Sequence, residues 1–186
     1  MRTRNWVPVA ALVVATGCGP CGYNRIVSEE QQVEAAWGQV ENQLQRRADL
    51  IPNLVEVVKG YASHEKSVFD NIANARAAMV SAGSRADKIN AANQLDAAIS
   101  RLLVVTENYP QLKANENFLA LQEELTGTES KIAYARQFYN DEVALLNTRV
   151  QSFPSNLIAR AGKFQPRHFF EIDEPATRPV SVEFQR

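Results

Sequence analysis

The sequence predicts an all-α protein, an elongated antiparallel bundle of about four helices. Two of these helices are long, and an irregular C-terminal tail follows them. Between residues 28 and 160, apolar residues recur at spacings of three and four, the period of one helical face, and no stretch alternates like a strand for long. After Gly162, three prolines argue against a continuous helix. At 186 residues, the chain is long enough for one domain with its own core.

Composition excludes several classes of protein. Apolar residues make up 45% of the chain and charged residues 22%, which is typical of a globular protein. The net charge is −1, whereas a nucleic-acid-binding protein usually carries an excess of basic residues. The only cysteines, Cys18 and Cys21, are distant in the sequence from the only histidines, His64 and His168, so a four-ligand zinc site is not expected. We expect neither a metal nor a cofactor.

Residues 1–17 are predicted to be a signal peptide. Arg2 and Arg4 precede an apolar stretch of about ten residues, too short to cross a bilayer, and small residues follow it. The residues before Cys18 resemble a bacterial lipobox, in which cleavage precedes the cysteine and the cysteine is acylated. Ala15 stands where such motifs usually have leucine. A plain secretory signal and an uncleaved N-terminal anchor are the alternatives.

Cleavage before Cys18 would leave a lipidated linker at residues 18–27. Lys and Arg would fall from 20 to 18 against 21 acidic residues, giving a net charge of −3. Two or three acyl chains at Cys18 would anchor the protein stably on the extracytoplasmic side of a membrane. Gly19 favours the outer membrane if the cell is Gram-negative, because an Asp there commonly retains lipoproteins at the inner membrane. Cys21 could be free, acylated or paired with another molecule.

The first helix is predicted from about Ser28 to Ala62, about 50 Å long. Arg47 occupies a position of its heptad seam where an apolar residue belongs. Pro52 lacks a backbone donor, so we expect a kink near Ala48 or Asp49. The apolar seam residues of this helix are Val33, Trp37, Val40, Leu44, Ile51, Leu54, Val58 and Tyr61.

Three further helices complete the predicted bundle domain, residues 28–163. The second covers residues 63–81 and is capped by Ser63, and the third covers residues 86–108 and ends before Pro110. The fourth runs from about residue 115 to residue 160, kinked or interrupted near Pro154, with one stutter in its seam. Its later seam positions are Val143, Leu146, Val150, Phe153 and Leu157.

Residues 164–186 form the predicted tail. We favour a tail that packs along its own bundle or is partly disordered. Alternatively, Val180, Val182 and Phe184 alternate at strand spacing and could pair with the sheet edge of a partner.

Several motifs occur in one order along nearly the whole mature chain. They are Tyr23-Asn24, Ala36-Trp37, Arg46-Arg47-Ala48-Asp49-Leu50-Ile51-Pro52-Asn53-Leu54-Val55, Tyr61-Ala62-Ser63-His64-Glu65, Ala75-Arg76, Glu107-Asn108-Tyr109-Pro110, Thr128-Glu129, Ala135-Arg136, Tyr139-Asn140, Phe153-Pro154-Ser155-Asn156 and Phe169-Phe170-Glu171. In these the chain resembles the LemA family, although Leu146-Asn147 replaces a usual Tyr-Asn. The resemblance implies an all-helical body outside the cytoplasm, attached to a membrane at its N-terminus. It brings no established activity and no catalytic residues.

Charged residues on or beside the apolar stripes form the candidate site. A buried charge costs several kcal/mol unless it is paired, so we expect these residues to form a network, with Arg47 bound to Glu129 or Glu107. Such a network fixes helix register or, alternatively, forms a polar pocket or partner-docking surface. The charged members are Arg47, Arg76, Glu107, Glu129 and Arg136, with Asn53, Glu65 and Asn140 as further partners.

We expect no enzymatic activity. The glutamates could act as acid and base, but the chain has no Glu-x-x-His signature, no Gly-rich phosphate loop and no G-x-S-x-G elbow. The leading hypothesis is a membrane-tethered interaction or scaffold protein that binds another envelope protein, with exposed apolar residues such as Val57 marking the surface. A bundle that binds a lipid or small molecule is the alternative, and self-association is a third possibility.

Overall fold

The computed structural model describes the backbone of residues 7–171 and the side chains of residues 22–171. All regular structure in this part of the chain is helical, which confirms the all-α class and the two long helices. The helices are α1 (Val7–Lys59), α2 (Lys66–Ser81), α3 (Arg85–Thr106), α4 (Pro110–Lys113), α5 (Glu116–Gln151) and α6 (Ser155–Ala161). No described helix carries an apolar run long enough to cross a bilayer.

The chain divides into two compact units. The described part of the first unit comprises residues 7–47 and 123–169, and that of the second comprises residues 48–122 and 170–171. In the first unit α1 and α5 are antiparallel, since residues later in α1 contact residues earlier in α5. Glu29 contacts Arg149, and Trp37 stacks edge-on against Tyr139 with ring centroids 5.4 Å apart.

The core of the first unit follows the predicted seam. The seam ends at Val150, because Phe153 and Leu157, predicted to continue it, are exposed. Pro154 accounts for this correction: α5 stops at Gln151 and α6 starts at Ser155, so the helical period that aligned the seam is lost. The main buried residues are Ile26, Val33, Trp37, Val40, Leu44, Ile132, Tyr139, Val143 and Leu146.

The second unit packs the end of α1, α2, α3, α4 and the start of α5 around its own core. Tyr61, predicted as a seam residue, is exposed because α1 ends two residues earlier. Its hydroxyl accepts a hydrogen bond from Asn115 Nδ2 at 3.1 Å. The main buried residues are Ile51, Leu54, Val58, Phe69, Ile72, Met79, Leu95, Ile99, Leu102, Leu112 and Phe118.

Two helix starts differ from the prediction. Helix α1 begins at Val7 rather than near Ser28, and Ile26 extends its buried face. Helix α2 begins at Lys66, with Glu65 as its N-cap residue, so the prediction that Ser63 caps it was wrong. Backbone bonds from Ala62 N to Val58 O and from Glu65 N to Ala62 O hold residues 61–65 in turns, which delays the helix.

The described part of the tail packs along the first unit. The hydroxyl of Tyr139 donates to the carbonyl of His168 at 2.9 Å. The Asn147 amide donates to the carbonyl of Arg167 at 2.9 Å and accepts from its N–H at 2.7 Å. Val180, Val182 and Phe184 lie outside the described residues.

Candidate functional site

Arg47 is a buried cation with a partly solvated partner. Its side chain is 5% exposed, and its guanidinium donates to a carboxylate oxygen of Glu129, which is 48% exposed. Glu129 is one of the two carboxylates expected to bind Arg47. The position of Arg47 between Leu44 and Ile51 on the seam turns it towards α5. Salt should weaken this pair less than a fully exposed pair, because burial keeps dissolved ions away from the guanidinium.

Two more predicted residues lie on the same face of α5 as Glu129. Arg136 follows Glu129 by two helical turns and is buried, and Asn140 follows by one further turn and is half-buried. The first unit therefore holds Arg47, Glu129, Arg136 and Asn140.

Arg76 compensates for a proline. Pro52 lies inside α1 and has no N–H, so it cannot bond to the carbonyl of Ala48 four residues earlier. The Arg76 Nε donates to that carbonyl at 2.9 Å. The contact lies within the second unit. Arg76 was expected to join a network of side chains, whereas here it bonds to a backbone carbonyl and so supports the helix.

The remaining predicted residues are more peripheral members of the second unit. Asn53 is exposed on α1, Glu65 is half-buried before α2, and Glu107 is exposed just after α3. The backbone N–H of Glu107 caps the carbonyls of Val104 and Val105. The eight predicted residues are thus divided between the two units, four in each.

A second polar cluster in the first unit was missed by the sequence analysis. Glu29 is buried, and Arg149 donates to its carboxylate through Nε and Nη2, at 2.8 Å for the shortest contact. Arg25 donates to the same carboxylate at 3.4 Å. The hydrogen bond to Glu29 raises the pKa of Arg149 above its ordinary value, so this guanidinium stays charged at every physiological pH. Extending the seam by four residues before Val33 would have identified Glu29 as a buried position.

The tail contributes to this cluster. Arg167 donates to Glu30 at 2.6 Å, and Glu34 lies 3.7 Å from the same nitrogen. One turn of α1 therefore holds α5 through Glu29 and the tail through Glu30. The acidic residues were visible in the sequence, but Arg149 and Arg167 lie more than a hundred residues away from them.

Two grooves open on the surface of the first unit. The larger, about 700 Å³, has a mostly apolar lining and lies between α1 near Gly22, the end of α5 and α6. Its lining includes Gly22, Leu145, Phe153 and Ile158. The smaller, about 450 Å³, runs between α1 and α5 beside Tyr134 and several amide side chains. The described residues contain no cluster of acidic, cysteine or histidine side chains placed to hold a metal ion.

An apolar stripe lies on α5 away from its buried seam. It consists of Tyr134, Phe138 and Leu145, all exposed, and Tyr134 is 71% exposed. Spacings of four and seven residues place the three on one side of the helix. Val57, named from the sequence as an example of an exposed apolar residue, is half-buried instead.

Comparison with known proteins supports one family. "Magnetosome protein MamQ 2" of Paramagnetospirillum magneticum is 25% identical over 184 residues, covering 85% of this chain and 68% of the relative. "Magnetosome protein MamQ" of Magnetospirillum gryphiswaldense is 24% identical with the same coverage. "Protein LemA" of Metamycoplasma hominis is 20% identical over 74% of this chain and 63% of its own length. None of these names is that of an enzyme. The LemA family model matches residues 36–184, and the chain therefore belongs to the LemA family.

Proposed function

We propose that this protein is a non-enzymatic, membrane-anchored interaction protein of the bacterial cell envelope. Acylated Cys18 anchors it on the extracytoplasmic side, and a protein partner binds the apolar stripe of Tyr134, Phe138 and Leu145. The observation that carries the proposal is that α5 buries one face against α1 and still exposes three large apolar side chains on another.

The stripe has the composition of a protein-binding surface. Groups of large exposed apolar side chains mark interaction sites, and tyrosine is enriched among the residues that dominate binding energy; exposed Asp141 lies between Phe138 and Leu145 on this side of α5. Gln39, Asn42 and Gln43 of α1 line the groove beside Tyr134. They supply the hydrogen-bonding rim that usually surrounds an apolar contact.

The buried polar residues support this role indirectly. The pair between Arg47 and Glu129 and the pair between Arg149 and Glu29 both join α1 to α5. A buried charge tolerates little displacement from its partner, so these pairs fix the rotation of α5 about its axis. Under this proposal they are positioning residues that keep the stripe turned outwards.

The names of the relatives are compatible with a binding role. "Magnetosome protein" refers to a compartment and not to a reaction. The family resemblance likewise implies N-terminal membrane attachment without a known activity. Anchoring through Cys18 is the lipoprotein form of such attachment.

Crosslinking in the native cell tests the proposal. The tagged full chain is crosslinked, purified and analysed by mass spectrometry, which also gives the mass of the N-terminal peptide. We expect an acylated peptide beginning at Cys18 and a recurrent envelope protein that is lost from the double variant Tyr134→Ser, Phe138→Ser. The matched control is Val104→Ser, which changes an exposed apolar residue of α3. Recovery of the protein alone, or equal capture by both variants, would exclude the stripe as the binding surface.

A ligand-binding bundle is the second candidate, and the larger groove is the observation that favours it. Its volume of about 700 Å³ falls within the range of about 300–1,000 Å³ that is usual for ligand pockets. Extraction and mass spectrometry of the purified protein would then give one lipid or small molecule in stoichiometric amount. Loss of that molecule in an Ala144→Trp variant, which fills the groove, would identify the site.

A further inference from the structure

We propose that one end of the first unit is a membrane-contact face that rests on the phospholipid bilayer. This face, termed here the α5–α6 face, consists of the larger groove, which Leu145 and Phe153 line, and of the exposed Leu157 on the adjoining helix α6. The inference rests on the proposed anchoring at Cys18 and adds a second, non-covalent contact with the same membrane.

The most exposed apolar residues of this face lie in the turn between α5 and α6 and on α6. Phe153, in the turn between α5 and α6, is 80% exposed, and Leu157 on α6 is exposed as well. Exposing a phenylalanine to water at a turn is unfavourable, since its burial would remove a large apolar area. The groove behind it is mostly apolar and open to the surface. These features together match a surface that inserts shallowly into lipid.

Helix α6 lies against α1 at Gly22. A Cβ atom placed on Gly22 would lie 2.6 Å from Ile158 Cδ1, so α1 and α6 approach closely here and a larger residue at position 22 would displace the end of the Ile158 side chain. Position 18 precedes Gly22 by four residues in the same helix, which is about 6 Å along the axis. An acyl anchor at Cys18 would therefore start one helical turn from the α5–α6 face.

Proximity to the anchor favours a bilayer over a protein as the occupant. Anchoring keeps the face at high effective concentration near lipid, so shallow insertion of a few side chains is enough to maintain contact. Tyr134, the first residue of the stripe, lies about 26 Å from the C-terminal end of α5, measured along the helix axis. The two surfaces meet at Leu145, which belongs to the stripe and lines the groove, whereas Tyr134 and Phe138 lie outside the membrane-contact face.

Charged residues around the face suit an anionic membrane. Arg160 on α6 and Lys163 just after it are exposed, whereas Asp141 is the acidic residue among those that line the groove. Glu29 is already engaged by Arg149 and Arg25. Exposed Lys and Arg near a surface rich in anionic lipid are attracted to it.

Fluorescence quenching by brominated lipids tests the inference. The protein is purified from membranes with the N-terminus that the cell has processed. It is then reconstituted into vesicles of phosphatidylcholine and phosphatidylglycerol with brominated acyl chains. Tryptophan is introduced separately by Phe153→Trp, Leu157→Trp and, as the matched control, Tyr134→Trp. All three native residues are exposed, so the fold tolerates each substitution. The signal of the parent chain, in which Trp37 is buried, is subtracted.

We expect at least about twofold greater quenching of the Phe153→Trp and Leu157→Trp probes than of the Tyr134→Trp probe, because interfacial insertion reaches about 5–10 Å into the bilayer. Equal quenching of all three probes in protein retained on the vesicles would overturn the membrane-contact face and leave the anchor intact. Release of the protein from the vesicles, together with an unmodified N-terminal peptide, would overturn both the anchor and this face.

Discussion

The contact between Arg76 and the carbonyl of Ala48 explains how α1 accommodates Pro52. Proline in a helix interior removes one hydrogen bond and leaves the carbonyl four residues earlier without its usual donor. A carbonyl left unsatisfied away from water costs roughly 1–3 kcal/mol. Arg76 Nε supplies the missing donor from α2.

Replacing Arg76 should therefore destabilise the protein in a way that depends on Pro52. We expect Arg76→Met to lower the free energy of unfolding by about 1–3 kcal/mol in the parent chain. In a Pro52→Ala background the restored N–H can bond to Ala48, so the loss should shrink by at least about 1 kcal/mol. A double-mutant cycle by chemical denaturation measures this coupling. Additive losses would show that the guanidinium acts elsewhere.

The Arg47–Glu129 pair predicts an asymmetry between its two ends. Glu129→Gln takes a carboxylate away from a guanidinium that is almost fully buried and should cost about 1–3 kcal/mol. Arg47→Met replaces the buried charge by an apolar side chain of similar length and should cost less, or stabilise the protein. Thermal unfolding of the two variants compares them. A larger loss for Arg47→Met would contradict this account.

Helix starts depend on local capping, and α3 is the clearest case. The Ser84 hydroxyl accepts a hydrogen bond from the Asp87 N–H at 3.1 Å, so a donor at the helix N-terminus is satisfied. We expect Ser84→Ala to lower the free energy of unfolding by about 1 kcal/mol. Ser63→Ala is the matched control and should have little effect, because α2 starts three residues after Ser63. Chemical denaturation distinguishes the two, and equal losses would contradict the assignment of the caps.

The sequence predicted the helical elements well where their period was uninterrupted. Spacings of three and four identified most of the buried faces of α1, α3 and α5. The errors occurred where backbone bonds compete with side-chain patterns. The turns at residues 61–65 displaced the start of α2, and the break at Pro154 exposed Phe153 and Leu157.

The candidate site was less predictable than the fold. Placing Arg47 on the seam required only the helical period, but choosing between Glu129 and Glu107 required the register of α1 against α5. The pair of Glu29 and Arg149 spans 120 residues and depends on that same register. Arg76 could not be assigned, because its partner is a carbonyl and carries no sequence signal.

At the scale of the whole molecule, the described tail is held to the first unit by a few specific bonds. The Asn147 side chain makes two hydrogen bonds with the backbone of Arg167, which act as one strand-like pairing. We expect Asn147→Ala to raise the rate of hydrogen exchange of the backbone amide of Arg167 by at least about tenfold, with little change in α1. Hydrogen exchange with mass spectrometry measures both regions, and Asn156→Ala on α6 serves as the control. Unchanged exchange at residue 167 would show that the tail is held by its other contacts.

The proline inside α1 also constrains the order in which this sequence can change over generations. Losing Arg76 first leaves a carbonyl without a donor, whereas losing Pro52 first makes Arg76 dispensable. Descendant sequences should therefore keep the two residues together or lose the proline before the arginine. Across a broad set of relatives, chains with proline at this position and no donor at the arginine position should be rare.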